Sequence, residues 1–312
     1  MERRNQSSAS EFILLGFSSH PDRQIHLFFV FLIMYTVILV GNLTIIIIIR
    51  IDSRLHTPMY FFLSVLACVD ICFTSLTVPK LLVDLLSVKK AISFAACIIQ
   101  LHFFLSFGNM GSFVLGIMGF DRYMAICHPL RYMQIMRVGL CVSLVLCAWV
   151  IVSLHSSIHS VLASKLYYCD SNEIHHFFCD LPPLLKLSCS DTTANELVLF
   201  TETTVILGAP LLCILISYFR IAIVILKIKS SEGRTKAFST CFSHITSTVL
   251  FYAPVLFTYV RPSSVYSLEK DMGISIMYSM VNSMLNPFVY SVRNNDVKEA
   301  LKKVKSKSQW HK

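Results

Sequence analysis

The feature that most constrains this chain is a series of apolar stretches too long for anything but membrane-crossing helices. Residues 24–49, 91–120, 138–164, 237–260 and 272–292 contain no Asp, Glu, Lys or Arg. A helix rising 1.5 Å per residue crosses roughly 30 Å of hydrocarbon in about 20 residues, so each stretch suffices. Two further stretches carry a single acid each, Asp70 between Arg54 and Lys80 and Glu202 between Glu196 and Arg220. That makes seven. Membrane strands run about 9–11 residues with alternating polarity, whereas residues 45–49 are an unbroken run of isoleucine, so all seven read as helices.

Composition agrees: the chain is 55% hydrophobic and only 14% charged, with a mean hydropathy of +0.65, which excludes disorder and speaks against a soluble enzyme. No phosphate-binding loop, HExxH or GxSxG pattern occurs, so no catalytic activity and no cofactor are expected. There is no internal repeat or Gly/Ser linker, and connections look short except for one segment at about 163–196. The fold class is therefore all-α, a seven-transmembrane helix bundle over 24–292, with a tail at 1–23 and another at 293–312.

Basic loops stay on the cytoplasmic side. With residue 1 outside, the inner segments hold 17 of the 27 Lys and Arg and 5 of the 18 acids, a face of 17 − 5 = +12. The N-terminus is accordingly placed outside and the C-terminal tail in the cytosol. In a soluble protein the overall charge of +9 would suggest nucleic acid; here it marks the inner face, suited to an acidic protein surface or anionic lipid. Asn5-Gln6-Ser7 is a glycosylation sequon on the outer tail, while Asn42-Leu43-Thr44 lies inside the first helix. Beyond the last span, Val297, Leu301 and Val304, interleaved with Lys298, Lys302 and Lys303, suggest a short amphipathic helix on the inner leaflet. Four of the 11 cysteines, Cys97, Cys169, Cys179 and Cys189, fall on the outer, oxidising side, and three connectivities are open to them. Cys68 and Cys72, spaced i,i+4, read as core packing, and no His/Cys cluster suggests a metal.

Seven helices with Asp121-Arg122-Tyr123 at the inner end of the third resemble a rhodopsin-like G-protein-coupled receptor. More narrowly, LHTPMYFFLSVLACVD (55–70), GFDRYMAICHPLRY (119–132), SY (217–218), KAFSTCFSH (236–244) and LNPFVY (285–290) are similar to the motif set of vertebrate olfactory receptors, in that order and over essentially the whole chain. The resemblance implies an odorant receptor that couples to a stimulatory, olfactory-type G protein, raises cyclic AMP and resides as a multi-pass protein in the plasma membrane, in cilia of olfactory sensory neurons. It also implies disulfides Cys97–Cys179 and Cys169–Cys189.

A membrane-edge arginine is costly to bury unless paired, and Asp121 is the neighbour that can hold Arg122 while the cytosolic face is closed. By resemblance, opening frees Arg122 to meet the G protein, and Tyr290, a turn beyond the backbone break at Pro287, moves beside Tyr218 and Arg122. The acid that many relatives outside the olfactory group carry at the inner end of helix six is replaced here by Arg234-Thr235-Lys236. Mid-span Asp70 needs partners; Asn42, Ser283 and Asn286 align with the family's polar cluster. The glutamate often found on the third helix is here Gly111, leaving open either a bound ion or a protonated Asp70 in a water network.

The family's ligand pocket falls on Phe104, Leu105, Gly108, Asn109 and Ser112, a stripe at helical spacing on the third helix, joined by Glu202, Ile206, Tyr252, Val255, Leu256, Tyr259 and Ser279. This lining is mostly apolar and suits a small hydrophobic ligand. Three fates are open to Glu202: ligand contact, pairing with a histidine such as His159, or exposure near the outer boundary. His102, His155 and His159 read as structural. The seventh span lacks a lysine for retinal, and Phe104 stands where amine receptors carry aspartate. The alternatives are a non-olfactory small-molecule receptor or, with Asp70 and Glu202 as an ion path, a transporter or channel.

Overall fold

Long helices dominate the computed structural model, which describes residues 10–17, 21–169, 171–259, 268–293 and 297–300. The spanning helices are α1 (Pro21–Ile51), α2 (Pro58–Leu86), α3 (Phe94–Cys127), α5 (Val138–Ser164), α7 (Thr193–Leu226) and α8 (Ser231–Tyr259); the seventh span is α9 (Leu268–Ile276), a π-helical segment (Met277–Val281) and α10 (Asn282–Arg293). Short helices α4 (Pro129–Ile135) and α6 (Leu181–Leu187) occupy connections. Among the described residues α1, α2, α3, α5 and α7 are long and apolar enough to cross a membrane, and α8 contributes a shorter apolar core, Cys241–Phe257.

Local chemistry sets the helix starts. Ser93 caps α3 by accepting from the Ala96 amide at 3.3 Å, and prolines open α2 and α4 at positions whose amide would have no helical partner anyway. Helix α2 continues past Lys80 to Leu86, because Lys80 pairs with Asp84 one turn on.

Lipid is as apolar as leucine, so helices associate in a membrane through close packing rather than hydrophobic expulsion. Helix α3 is the central post, with 61% of its most apolar window buried against 22% for α5. Its small residues admit α7. A Cβ on Gly116 would stand 2.9 Å from Pro210 Cβ, and one on Gly119 3.2 Å from Ile214.

One end of the bundle is closed by a covalent and hydrogen-bonded cap. Both disulfides, Cys97–Cys179 and Cys169–Cys189, are present. Residues Glu11–Leu14 form a strand, β1, between β2 (Ala91–Ser93) and β3 (Glu173–Ile174), antiparallel to the first and parallel to the second. The sequence reading treated 1–23 as a polar tail; in fact Phe12 and Leu14 are fully buried beneath this sheet. At the opposite end, which carries Asp121 and Arg122, residues 297–300 are helical, with Val297 and Ala300 buried and Arg54 bridging Asp52 and Glu299. Leu301 and Val304, the rest of the expected amphipathic stripe, lie outside the described residues, as does Asn5.

Candidate functional site: a cavity, a buried acid and a closed basic end

Below the disulfide cap, α2, α3, α5, α7, α8 and the π segment line a small cavity. Five of the expected residues line it: Phe104, Leu105, Gly108, Asn109 and Val255. The loop after β3 covers them, with Phe178 against Phe104 at 4.5 Å and Gln100 of α3 accepting from the Cys179 amide at 2.9 Å.

Other expected positions differ, each for a local reason. Leu207 rather than Ile206 faces the cavity, because Leu207, Pro210 and Ile214 form the buried stripe that the α3 glycines hold in register. Tyr278 rather than Ser279 lines it. Both lie within the π segment, whose wider turn departs from a 3.6-residue spacing; Tyr278 donates to Asp180 at 3.1 Å, while Ser279 bonds the Ser275 carbonyl. Phe251 and Val255 share the inward face of α8, leaving Leu256 half-buried beside it. Ser112 and Tyr252 meet each other at 2.6 Å, joining α3 to α8 without lining the cavity. The side chains of Glu202 and Tyr259 lie outside the described residues.

His155 and His159, expected to be structural, line the cavity. Asn109 Nδ2, which can only donate, lies 3.2 Å from His155 Nδ1, and His155 Nε2 lies 3.2 Å from His159 Nε2. The neutral imidazole of His155 then carries its proton on Nε2 and donates to His159. This strip gives an otherwise mainly apolar wall its direction. Among the described residues no group of three or more His, Cys, Asp or Glu could hold a metal.

The buried acid finds its expected partners. Ser283 Oγ and Asn286 Nδ2 each donate to Asp70, both at 2.8 Å, and Asn42 donates to the Ser283 carbonyl at 3.1 Å. Gly111 adds no further acid: a Cβ there would meet the Phe251 ring at 3.3 Å, so aromatic packing occupies the space a glutamate would need.

At the other end, Asp121 is held differently from expectation. It accepts from Tyr132 of α4 at 2.9 Å, and no ion pair joins it to Arg122 among the described residues, where Arg122 Nε is buried without a partner. Tyr123 bonds His128 at 3.0 Å. Nothing in the sequence reading flagged His244, which lies within the KAFSTCFSH segment. It is fully buried, with Nε2 3.0 Å from the Leu115 carbonyl and Nδ1 2.9 Å from Tyr218 Oη. A carbonyl only accepts, so Nε2 carries the proton and Tyr218 donates to Nδ1. One side chain on α8 thereby ties α3 to α7. Further inward, Tyr290 Oη, Ser247 Oγ and Asn286 Oδ1 are buried without protein partners, a pattern typical of groups that bond internal water.

A helical bundle with a lidded apolar cavity near one end, and the Asp121-Arg122-Tyr123 motif with the His244 tie near the other, defines a seven-helix membrane receptor. The olfactory receptor family model matches residues 31–308. Olfactory receptor 1f45 of Rattus norvegicus is 51% identical over 97% of both chains. Olfactory receptor 1L6 of Homo sapiens is 50% identical over 98% of this chain and 89% of its own, and olfactory receptor 1C1 of Homo sapiens 50% identical over 97% of each. The chain belongs to the olfactory receptor family: it is a multi-pass membrane receptor for odorants, and not an enzyme.

Proposed function

We propose that a small, mainly hydrophobic odorant binds in the cavity beneath the disulfide cap and that the receptor then activates a stimulatory, olfactory-type G protein, raising cyclic AMP. The observation that carries this reading is the cavity itself: an apolar wall of Phe104, Leu105, Leu207, Phe251 and Val255 with one polar strip, Asn109–His155–His159, to orient a ligand. Glu202 and Tyr259 belong to the same proposal as ligand contacts.

The disulfide end faces outward, with Asn5 glycosylated, and the end bearing Arg122 faces the cytosol, where basic residues outnumber acids. Membership of the olfactory receptor family supports residence in the cilia of olfactory sensory neurons. Helix α3 runs from cavity to Arg122, and α8 contributes Phe251 to the cavity and His244 to the tie. A ligand that favours an outward position of α8 therefore favours release of Tyr218 and Leu115. Its effect is bounded by its difference in affinity for the two states. Asp70 with Ser283 and Asn286 forms the polar hinge between them, a site for water or a cation.

Cyclic AMP measured in cells carrying this chain and an olfactory-type G protein, across chemically diverse odorants, tests the reading. A response should appear and be abolished by Arg122→Ala at matched surface expression. A confirmed ligand whose response Arg122→Ala leaves unchanged would overturn it.

A further inference from the structure

A second, larger hollow lies apart from the odorant cavity and shares none of its lining residues. It is an open groove along α2, α3 and α5. Phe61, Val65, Met110 and Trp149 line its length. Cys68 and Cys72, expected in the core, line it too and are exposed. Leu146 on its rim is 58% exposed, so in a bilayer the groove opens onto the acyl-chain phase.

The lining changes character at the end bearing Arg122. There it is Arg50, His56, Thr57 and Arg137. Neither arginine forms an ion pair among the described residues, where Asp52 and Glu299 pair with Arg54. Thr57 is the N-cap of the 29-residue α2 yet makes no side-chain capping bond, so the positive end of that helix also faces the mouth. An apolar trough closed at one end by two guanidinium groups and a helix N-terminus complements an amphiphile with an anionic head.

We propose that this groove binds an anionic glycerophospholipid, with its phosphate between Arg50 and Arg137 at the start of α2 and an acyl chain along Phe61, Val65 and Trp149. The lengths agree: Trp149 lies twelve residues along α5 from Arg137, about 18 Å, close to the roughly 15 Å depth of one leaflet's hydrocarbon. A zwitterionic headgroup brings no net negative charge to two arginines, and a sterol would leave both without a counter-charge. One wall is built by Met133 and Met136 of the α4 region. The same short helix carries Tyr132, the partner of Asp121, so an occupied groove braces the element that holds Asp121.

The test uses the full chain with Trp310→Phe in lipid nanodiscs, which leaves Trp149 as the sole tryptophan of the two. Quenching of Trp149 by dibrominated phosphatidylserine is compared with quenching by dibrominated phosphatidylcholine. A preference of at least about fivefold for the anionic lipid is expected, the gain from one arginine near an anionic headgroup. Arg50→Gln with Arg137→Gln should bring the ratio close to one, and Arg137→Gln alone should lower it, with the emission maximum unchanged. Arg131→Gln with Arg234→Gln, an equal loss of charge outside the groove, should leave it intact. Equal quenching by both lipids in the parent, a preference that survives loss of both groove arginines, or one lost equally in the control pair would overturn the proposal.

Discussion

Replacing His244 by phenylalanine keeps an aromatic ring in a fully buried site while removing both polar contacts, to the Leu115 carbonyl at 3.0 Å and Tyr218 at 2.9 Å. Each such bond is worth about 1 kcal/mol net, and Leu115 lies within α3, where its oxygen keeps a helical partner. The closed arrangement therefore loses about 2 kcal/mol. An open arrangement, in which α8 has already left α3 and α7, loses nothing. At 1.4 kcal/mol per tenfold, the equilibrium shifts roughly 30-fold toward open, taking a receptor that is about 1% open at rest to roughly one-fifth open. The assay is cyclic AMP without ligand, at surface expression matched to the parent. His244→Phe should raise the basal signal many-fold, short of the maximal ligand response. An unchanged or lower basal signal would show that the tie does not restrain α8.

Three further outcomes are expected. Burial pushes His176 of the β3 loop down to about 4, against about 6.5 in an unfolded chain; between these values the unfolded state binds more protons, so stability is lost as pH falls from about 6.5 towards 4, by up to about 1.4 kcal/mol per pH unit. Thermal melts of the purified receptor should show that slope, and His176→Leu should flatten it. Gly116→Ala brings a Cβ against the rigid Pro210 ring and backbone, costing about 1–3 kcal/mol and lowering the melting temperature, whereas Gly139→Ala, with nothing within 4 Å, should be neutral or slightly stabilising. Cys97→Ser removes the link between α3 and the loop that covers the cavity, a loss of about 2–5 kcal/mol, and should reduce surface expression measured by flow cytometry.

Much of this architecture is legible in the sequence, because a membrane enforces long apolar runs and makes every buried polar group conspicuous. Asp70 could not stand mid-span without partners, and the family resemblance implied Asn42, Ser283 and Asn286, of which Ser283 and Asn286 bond it directly. What escaped has physical causes. A π segment puts Tyr278 in the wall where the family resemblance implied Ser279. The face of α7 follows from a contact between Gly116 and Pro210, 94 residues apart, which no local pattern encodes. Asp121 bonds Tyr132 because α4 folds back beneath α3, an arrangement invisible to an argument from the adjacent Arg122. Strand β1, four residues long, is too short for its alternation to stand out from a polar tail.

That strand sets an order on synthesis. Ile13 is paired with Ala91 on one side and with Glu173 on the other, so its second neighbour emerges 173 − 13 = 160 residues after it. At about 5–20 residues per second, the first strand made waits roughly 8–32 s with one edge unsatisfied. Four helices must be inserted before the sheet can be completed. The cap over the odorant cavity can thus close only after four spans are in place, with three still to follow.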